Sequence, residues 1–543
     1  MRHLQLSRAR AELTAHNSAA GGRNAMALDT LQTNDSATVW RRELHDETAI
    51  AELAADVANL AGPGDLVTLS GGLGAGKTAL ARALIRLLAG DEDLEVPSPA
   101  FTLMQCYDGL SFPILHADFY RIERPSDLIE LGFEEASDGA LVLVEWPERA
   151  GGFLGGDRLD VALALDMDRG ADYRTVTMTG TGSFAGRLAH AKAVHELLRN
   201  SDWLDAKREF MRGDASTRSY EQLVKGDGQT VILMYSPQRP DGPPIRYGKS
   251  YSAIAKLAEN IRPFVAVSRA LRAEGLSAPE ILAFDLEAGL AIIEDLGSEP
   301  IATESGIIEE RYAMALAALA HLHDANLPDT LPLDDGVTYR IPAYDIDALS
   351  IEIELLNDWY TPYIACVQLS SGVKATFVNL WRQAVQDIVS QRPVWTLRDY
   401  HSPNLLWLSA REGIAKIGIL DFQDCVLGHP AYDVVSLLQD ARVDISDEEE
   451  LKLLAYYARL RREADPNFDV AGFLRAYATL GAQRATKILG IFARLDERDG
   501  KPQYLAHLPR VEKYLARNLR HQVVEELQNW YEEHLPRIFA GAP

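Results

Sequence analysis

The sequence predicts two units in series: an α/β domain with a mainly parallel sheet, then a bilobal α+β domain, β-rich first and helical second. Three observations predict this. An apolar run, Leu66–Ser70, leads into Gly71-Gly72-Leu73-Gly74-Ala75-Gly76-Lys77-Thr78 and then a helical pattern. Apolar strand candidates alternate with helices as far as Gly180. Beyond Leu204, strand patterns give way to helical ones that carry Asp399, Asn404 and Asp421 on loops beside short apolar runs.

The elements follow in order. Residues 1–37 hold several arginines and small residues, have little periodicity and lack the apolar core of a secretory signal; they are read as a disordered extension, with a start codon upstream of Met26 as its origin. "DETAIAELAADVANLAGPGD" is an amphipathic helix closed by Gly-Pro-Gly. "LVTLS" is a buried strand, and "KTALARALIRLLAG" a helix ended by Gly90. The strands "FPILHADF", "ALVLVEW", "RLDVALAL" and "YRTVTMTG" complete a domain over 38–182. "TGTGSFAG" marks a break, and the helix after it, 183–203, is read as a connector or as the end of the first domain. A β-rich lobe, 204–297, is interrupted by one helix. A helical lobe, 298–543, holds short strands near Val394–Leu397, Leu405–Leu408 and Ile417–Leu420.

Composition narrows the function. The 543 residues are 47% hydrophobic, enough for more than one core. The net charge of -25 argues against broad contact with a nucleic-acid backbone, so any link to RNA would run through a partner protein. Three widely spaced cysteines with no C-x-x-C pair indicate neither a disulfide framework nor a zinc knuckle, and point to the reduced cytoplasm. No apolar run is long enough for a membrane helix; "AMALAALAHLH" reads as a buried helix face.

The segment Gly71–Thr78 fits the phosphate-binding pattern G-x-x-x-x-G-K-[ST]. Gly71, Gly72, Gly74, Ala75 and Gly76 would turn backbone N–H groups toward phosphates at a helix start. Lys77 would reach the β/γ-phosphates and Thr78 would ligate Mg²⁺. ATP hydrolysis also needs a carboxylate near the metal, and two lie at strand ends, Asp118 and Glu145; the alternative makes either an ordinary salt-bridge partner. "GGLGAGKT", "VPSPAFTL", "HADFYR" and "VEWPE", in this order, resemble the TsaE family of ATPases, over roughly residues 40 to 180. The resemblance implies nucleotide and Mg²⁺ on Lys77 and Thr78, Glu145 and Asp118 around the metal, and Trp146 beside the nucleotide. It also implies action in tRNA threonylcarbamoyladenosine synthesis, with the subunits of the threonylcarbamoyl-transfer complex as partners and tRNA met only through them. Ala100 departs from the family's S-P-T-[FY], which removes a hydroxyl from a loop facing the γ-phosphate.

In "TLRDYHSPNLLWL", Asp399 and Asn404 form D-x-x-x-x-N, and "IGILDFQD" places Asp421 at a strand end some twenty residues later. This trio matches the protein-kinase arrangement of a base and two Mg²⁺ ligands. The turn "RGDASTRSYEQLV" offers Asp214, Ser216 and Arg218 to cover phosphates, and Glu294, before Asp295-Leu296, lies at the expected hinge. "GDASTR", "IIEDLG", "LRDYHSPN", "ILDFQD" and "HPAYDVVSLLQDAR" resemble the aminoglycoside-phosphotransferase superfamily, nearest to AmgK-like anomeric kinases of N-acetylmuramate and N-acetylglucosamine, over roughly residues 200 to 540. The resemblance implies a bilobal kinase-like fold, Asp399 as catalytic base, Asn404 and Asp421 as Mg²⁺ ligands, and a role in peptidoglycan recycling. The third-strand lysine of protein kinases is absent: "TVILMYSPQ" offers Met234, and Arg218 or Lys249 is left to supply the cation. His401 either orients the loop or satisfies a backbone carbonyl, and Asp433 is expected to pin it.

The expected protein is thus a fusion of two enzymes, both using ATP and Mg²⁺, the second taking an amino sugar, with no membrane contact. The alternatives are a C-terminal pseudokinase that regulates the ATPase, or a kinase for another hydroxyl substrate such as choline or an aminoglycoside.

Overall fold

A computed structural model describes residues 37–540 apart from 47, 171–172, 212–217 and 335. The chain divides into two compact units between Leu204 and Asp205.

The first unit is built on a seven-stranded sheet in the order β1-β7-β6-β2-β5-β4-β3. Its strands are β1 (Thr38–Leu44), β2 (Leu66–Gly71), β3 (Met104–Tyr107), β4 (Ile114–Asp118), β5 (Leu141–Glu145), β6 (Leu159–Leu165) and β7 (Arg174–Gly180). The central strands β6, β2, β5 and β4 run parallel, and antiparallel strands flank them. Every residue of β4 and β5 is buried, as both faces of a parallel sheet are covered. Alternate residues of β5 serve the two faces: Leu141 and Leu143 pack into one apolar core, Val142 and Val144 into the other. The helices α1 (Thr48–Leu60) and α2 (Lys77–Ala89) pack together on the first of these cores.

β1 is absent from the sequence reading: "TVWRREL" is an edge strand in which Arg42, paired with Asp56, shares the inward face with the buried Trp40 and Leu44. Helix α3 (Ser183–Asn200), read as a connector or the end of the first domain, lies within the first compact unit; it packs on β1 and β7, with Phe184 and Leu188 in the core.

The second unit opens with a five-stranded antiparallel sheet, β11-β12-β10-β9-β8. Its strands are β8 (Lys207–Met211), β9 (Ser219–Val224), β10 (Thr230–Tyr235), β11 (Ile281–Asp285) and β12 (Leu290–Glu294). Two helices interrupt it rather than one, the short α4 (Tyr251–Ala255) and α5 (Arg262–Ala273). Asp214 and Ser216 lie outside the described residues.

The rest is mainly helical, with the hairpins β13/β14 (Ala302–Thr303, Gly306–Ile307) and β15/β16 (Thr330–Asp334, Val337–Arg340). "AMALAALAHLH" lies in helix α6 (Glu309–Asp324), whose apolar residues are buried as expected. Helix α7 (Ile346–Leu355) passes into nine residues of π-helix, Leu356–Ile364, and α8 (Ser371–Val389) follows. Two short ladders hold the loops of interest: β17 (Val394–Thr396) with β20 (Val426–Gly428), and β18 (Leu405–Trp407) with β19 (Ile417–Ile419). Of the helices α9 (Ala431–Leu438), α10 (Asp447–Ala464) and α11 (Val470–Glu497) that follow, α11 packs on α9 and α7, and α10 packs on α6. Among the described residues no helix is long and apolar enough to cross a membrane.

Candidate active sites

In the first unit, the loop between β2 and α2 is possible only with glycine at two places. Gly71 and Gly76 have φ of 134° and 107°, and a Cβ on Gly71 would strike the carbonyl oxygen of Leu163. Gly74 and Gly76 also take the left-handed region, and Ala75 is buried with its carbonyl held by Arg174. Lys77 folds back over this loop and donates to the carbonyls of Gly71 and Gly72, both at 2.9 Å. Its ammonium lies 3.8 Å from the centroid of the Trp146 ring. Burial holds the Lys77 ammonium below its ordinary value, against the pull of Glu145, Asp118 and Glu148.

The parallel ladder sets the carboxylates. Asp118 and Glu145 are in register at the C-terminal ends of β4 and β5, where open α/β sheets place their ligands. Thr78 Oγ1 donates to Glu145 Oε2 at 2.9 Å, and Glu145 Oε1 meets His116 Nε2 at 3.0 Å. Asp118 accepts from Ser98 Oγ at 3.1 Å and from the backbone N–H of Tyr120 at 2.9 Å. The loop that carries Ala100 therefore reaches the site through Ser98. His116, wholly buried, escaped the sequence reading because it stood as one more residue of the strand "ILHAD".

In the second unit, the loop carrying Asp399 is fixed from below. Asp433, wholly buried, accepts from the backbone N–H groups of Leu397 (2.7 Å) and Arg398 (2.8 Å), the pinning expected of it. Asp440 accepts from Ser402 N, and Ser436 donates to the carbonyl of Arg398, a residue held at φ 67°. His401 gives its carbonyl to Asn404 N, and its Nδ1 is buried without a partner. Asn404 Nδ2 donates to the Asp399 carbonyl at 3.0 Å, which leaves its oxygen for a metal. Leu420 N donates to Asn404 O, continuing the β18/β19 ladder, so Asn404 and the start of the Asp421 loop are neighbours across one hairpin.

The charges around Asp399 come from residues far apart in sequence. Arg398 pairs with the fully buried Glu352 of α7, and Lys487 of α11 pairs with the same carboxylate at 2.8 Å. Burial pushes the Asp399 carboxyl up, yet Lys487, His401, Arg484 and Arg398 together hold it below the usual carboxylate range. A carboxylate kept ionised in this way can take a proton from a hydroxyl.

The two cations proposed in place of a third-strand lysine differ in position. Met234 is fully buried in β10, in the core of the second unit. Arg218, just before β9, donates from Nη1 to Asp421 Oδ1 at 2.8 Å, while Lys249 is exposed on the segment before α4. Glu294 is engaged already: its carboxylate binds Arg272 and Arg411, and its N–H donates to the carbonyl of Glu280, leaving its own carbonyl for a ligand.

Each site offers hard oxygen donors, Thr78, Asp118 and Glu145 in one and Asn404 and Asp421 in the other, a set that suits Mg²⁺. Among the described residues no group of three or more His, Cys, Asp or Glu side chains is placed to hold a metal ion.

Comparison with known proteins finds a family for each unit. Residues 44–174 match the family "Threonylcarbamoyl adenosine biosynthesis protein TsaE", and residues 207–467 match the phosphotransferase enzyme family. The N-acetylmuramate/N-acetylglucosamine kinase of Caulobacter vibrioides is 39% identical over 344 residues, 61% of this chain and 93% of that protein. The tRNA threonylcarbamoyladenosine biosynthesis protein TsaE of Rickettsia conorii is 41% identical over 176 residues, 32% of this chain and 96% of that protein. The ADP-bound crystal structure of aminoglycoside phosphotransferase APH(2'')-Ib is similar at 13% identity and a TM-score of 0.38, covering 60% of this chain and 98% of that one.

Proposed function

The chain belongs to two families, TsaE over its first unit and the N-acetylmuramate/N-acetylglucosamine kinases of the phosphotransferase enzyme family over its second, and we propose that it works as both. The observation that carries this reading is that each unit has its own phosphate-directed site, the Gly71–Thr78 loop in one and the Asp399–Asn404–Asp421 hairpin pair in the other.

In the first unit, ATP hydrolysis would serve synthesis of threonylcarbamoyladenosine on tRNA, in company with the subunits that carry out the transfer. The loop amides and Lys77 would hold the triphosphate, drawing Lys77 off the Gly71 and Gly72 carbonyls. Thr78 and Asp118 would hold Mg²⁺, and Glu145 would orient water on the γ-phosphate side.

In the second unit, the anomeric hydroxyl of N-acetylmuramate or N-acetylglucosamine would attack the γ-phosphorus of ATP. The sugar O–P bond forms, the bond to the ADP oxygen breaks, and the hydroxyl proton passes to Asp399. Asn404 and Asp421 would hold Mg²⁺, which when bound neutralises the charge on the transferred group. Lys487, His401, Arg484 and Arg398 keep Asp399 ready to accept the proton.

A regulatory reading of the second unit has one observation in its favour, the hold of Arg218 on Asp421. Mass spectrometry of N-acetylmuramate and N-acetylglucosamine, each incubated with the full chain and Mg-ATP, decides. The kinase reading expects a sugar monophosphate, absent with Asp399→Asn. No product from either amino sugar, with a sugar-dependent change in ATP hydrolysis, would favour regulation.

A further inference from the structure

The π-helical stretch Leu356–Ile364 carries an unexplained polar group. Such turns are rare and cluster at functional sites. Asn357, on its first turn, is 2% exposed, yet neither the nitrogen nor the oxygen of its carboxamide has a hydrogen-bond partner. Buried amides are almost always satisfied, so a pair of unmet groups on one side chain calls for a reason.

Asn357 lines a cavity of about 330 Å³ together with Arg246, Glu354, Asp358, Lys374 and Asn379. Arg246 spends one nitrogen there, Nη2, on both oxygens of Glu354 (2.9 and 2.8 Å). Lys374 spends one N–H on Asp358 at 3.0 Å. An ammonium has three donors and a guanidinium five, so both cations can serve a second anion. A carboxamide presents one acceptor beside donors, the complement of another amide. The lining therefore matches a ligand that bears both an N-acyl group and a carboxylate.

The helix whose end lines this cavity also carries a residue of the cluster around Asp399. Glu352, two residues before Glu354 on α7, holds Arg398. Tyr251, five residues after Arg246, lies among the charges of Glu352, Lys487, Arg494 and Arg398, with the Arg494 guanidinium 5.6 Å from its ring.

We propose that the cavity at Arg246, Asn357 and Lys374 is the subsite for the N-acetyl and carboxylate substituents of the acceptor sugar, an inference that rests on the kinase reading above. Asn357 pairs with the acetamido group, and Arg246 and Lys374 with the lactyl carboxylate that N-acetylmuramate has and N-acetylglucosamine lacks.

The test uses the full chain and both sugars, with KM and kcat from initial rates and direct binding from calorimetry. Arg246→Gln combined with Lys374→Gln should raise KM for N-acetylmuramate at least tenfold, with KM for N-acetylglucosamine changed less than twofold. Asn357→Leu should weaken both sugars at least fivefold while the melting temperature holds or rises, because an apolar side chain replaces an unmet amide. Equal losses on both sugars in the cation variant, or unchanged sugar affinity in Asn357→Leu, would overturn the subsite. So would a fall in melting temperature of Asn357→Leu with sugar affinity intact. Binding without turnover of either sugar in the wild type would sink the kinase reading alone, and the binding comparison still decides the subsite. Failure of the wild type to bind either sugar would overturn both.

Discussion

Arg218 and Asp421 are joined by a 2.8 Å hydrogen bond from Nη1 to Oδ1, so a cation from the β-rich lobe sits on the residue assigned to hold the metal. The Arg218 side chain is mostly buried, whereas that of Asp421 is 42% exposed, and Gln423 donates to the same oxygen at 2.8 Å. If Asp421 holds Mg²⁺ as proposed, Arg218 would compete with the metal for that carboxylate before nucleotide arrives.

That competition has a measurable consequence. A charge-assisted bond to a partly exposed carboxylate is worth about 1 kcal/mol after solvent screening. Arg218→Gln should therefore lower the Mg²⁺ concentration for half-maximal sugar phosphorylation about fivefold, while raising KM for ATP. An unchanged or higher Mg²⁺ requirement would contradict the competition.

With Asp399 as the proposed base, its ionisation would set the pH dependence. Because its carboxyl is held below the ordinary range, sugar phosphorylation should lose rate only in strong acid, as pH falls through that depressed value. Lys487→Gln removes the foremost of the cations opposing burial, so the acid limb of kcat/KM should move to higher pH. Asp399→Asn should cost about 10²–10⁴ in kcat. A limb that stays put in Lys487→Gln would remove Lys487 from this role.

In the first unit, His116 fixes one oxygen of Glu145 while Thr78 takes the other. His116→Leu frees the carboxylate to turn and should reduce ATP hydrolysis about tenfold to a hundredfold, as small misplacements of a catalytic group do. Nucleotide affinity should stay within twofold, and His116→Gln, which keeps a donor, should recover part of the rate. Equal loss of binding and hydrolysis would make His116 a packing residue only.

How far these relationships were legible from the sequence depends on their range. The loop Gly71–Thr78, the strand ends at Asp118 and Glu145, and the order Asp399, Asn404, Asp421 were readable because each is a local pattern beside a short apolar run. The Arg398–Glu352–Lys487 cluster was not, since its members come from the Asp399 loop, α7 and α11 and only packing brings them together. Arg218 was a named candidate beside Lys249, but its partner could not be read from the turn. β1 was hidden by the charges of an edge strand, and the place of α3 by glycines that end β7 rather than the domain.

His429 supplies a stability test. Burial, aided by His323, lowers it from 6.5 to about 4. Between those values the unfolded chain binds a proton that the folded chain refuses, so this stability is present above pH 6.5 and is lost as pH falls toward 4. The loss is about 3 kcal/mol over that window. In urea unfolding of the full chain, His429→Gln should flatten the transition of the second unit across it. An equal slope in wild type and variant would place the acid sensitivity elsewhere.

Counting bound nucleotide tests the central claim most directly. Equilibrium titration of the full chain with a non-hydrolysable ATP analogue and Mg²⁺ should give two analogues per chain. Lys77→Ala should leave one, and that remaining site should still support phosphorylation of N-acetylglucosamine when ATP is supplied. A single analogue on the wild-type chain, or loss of both sites in Lys77→Ala, would contradict two self-contained enzymes in one polypeptide.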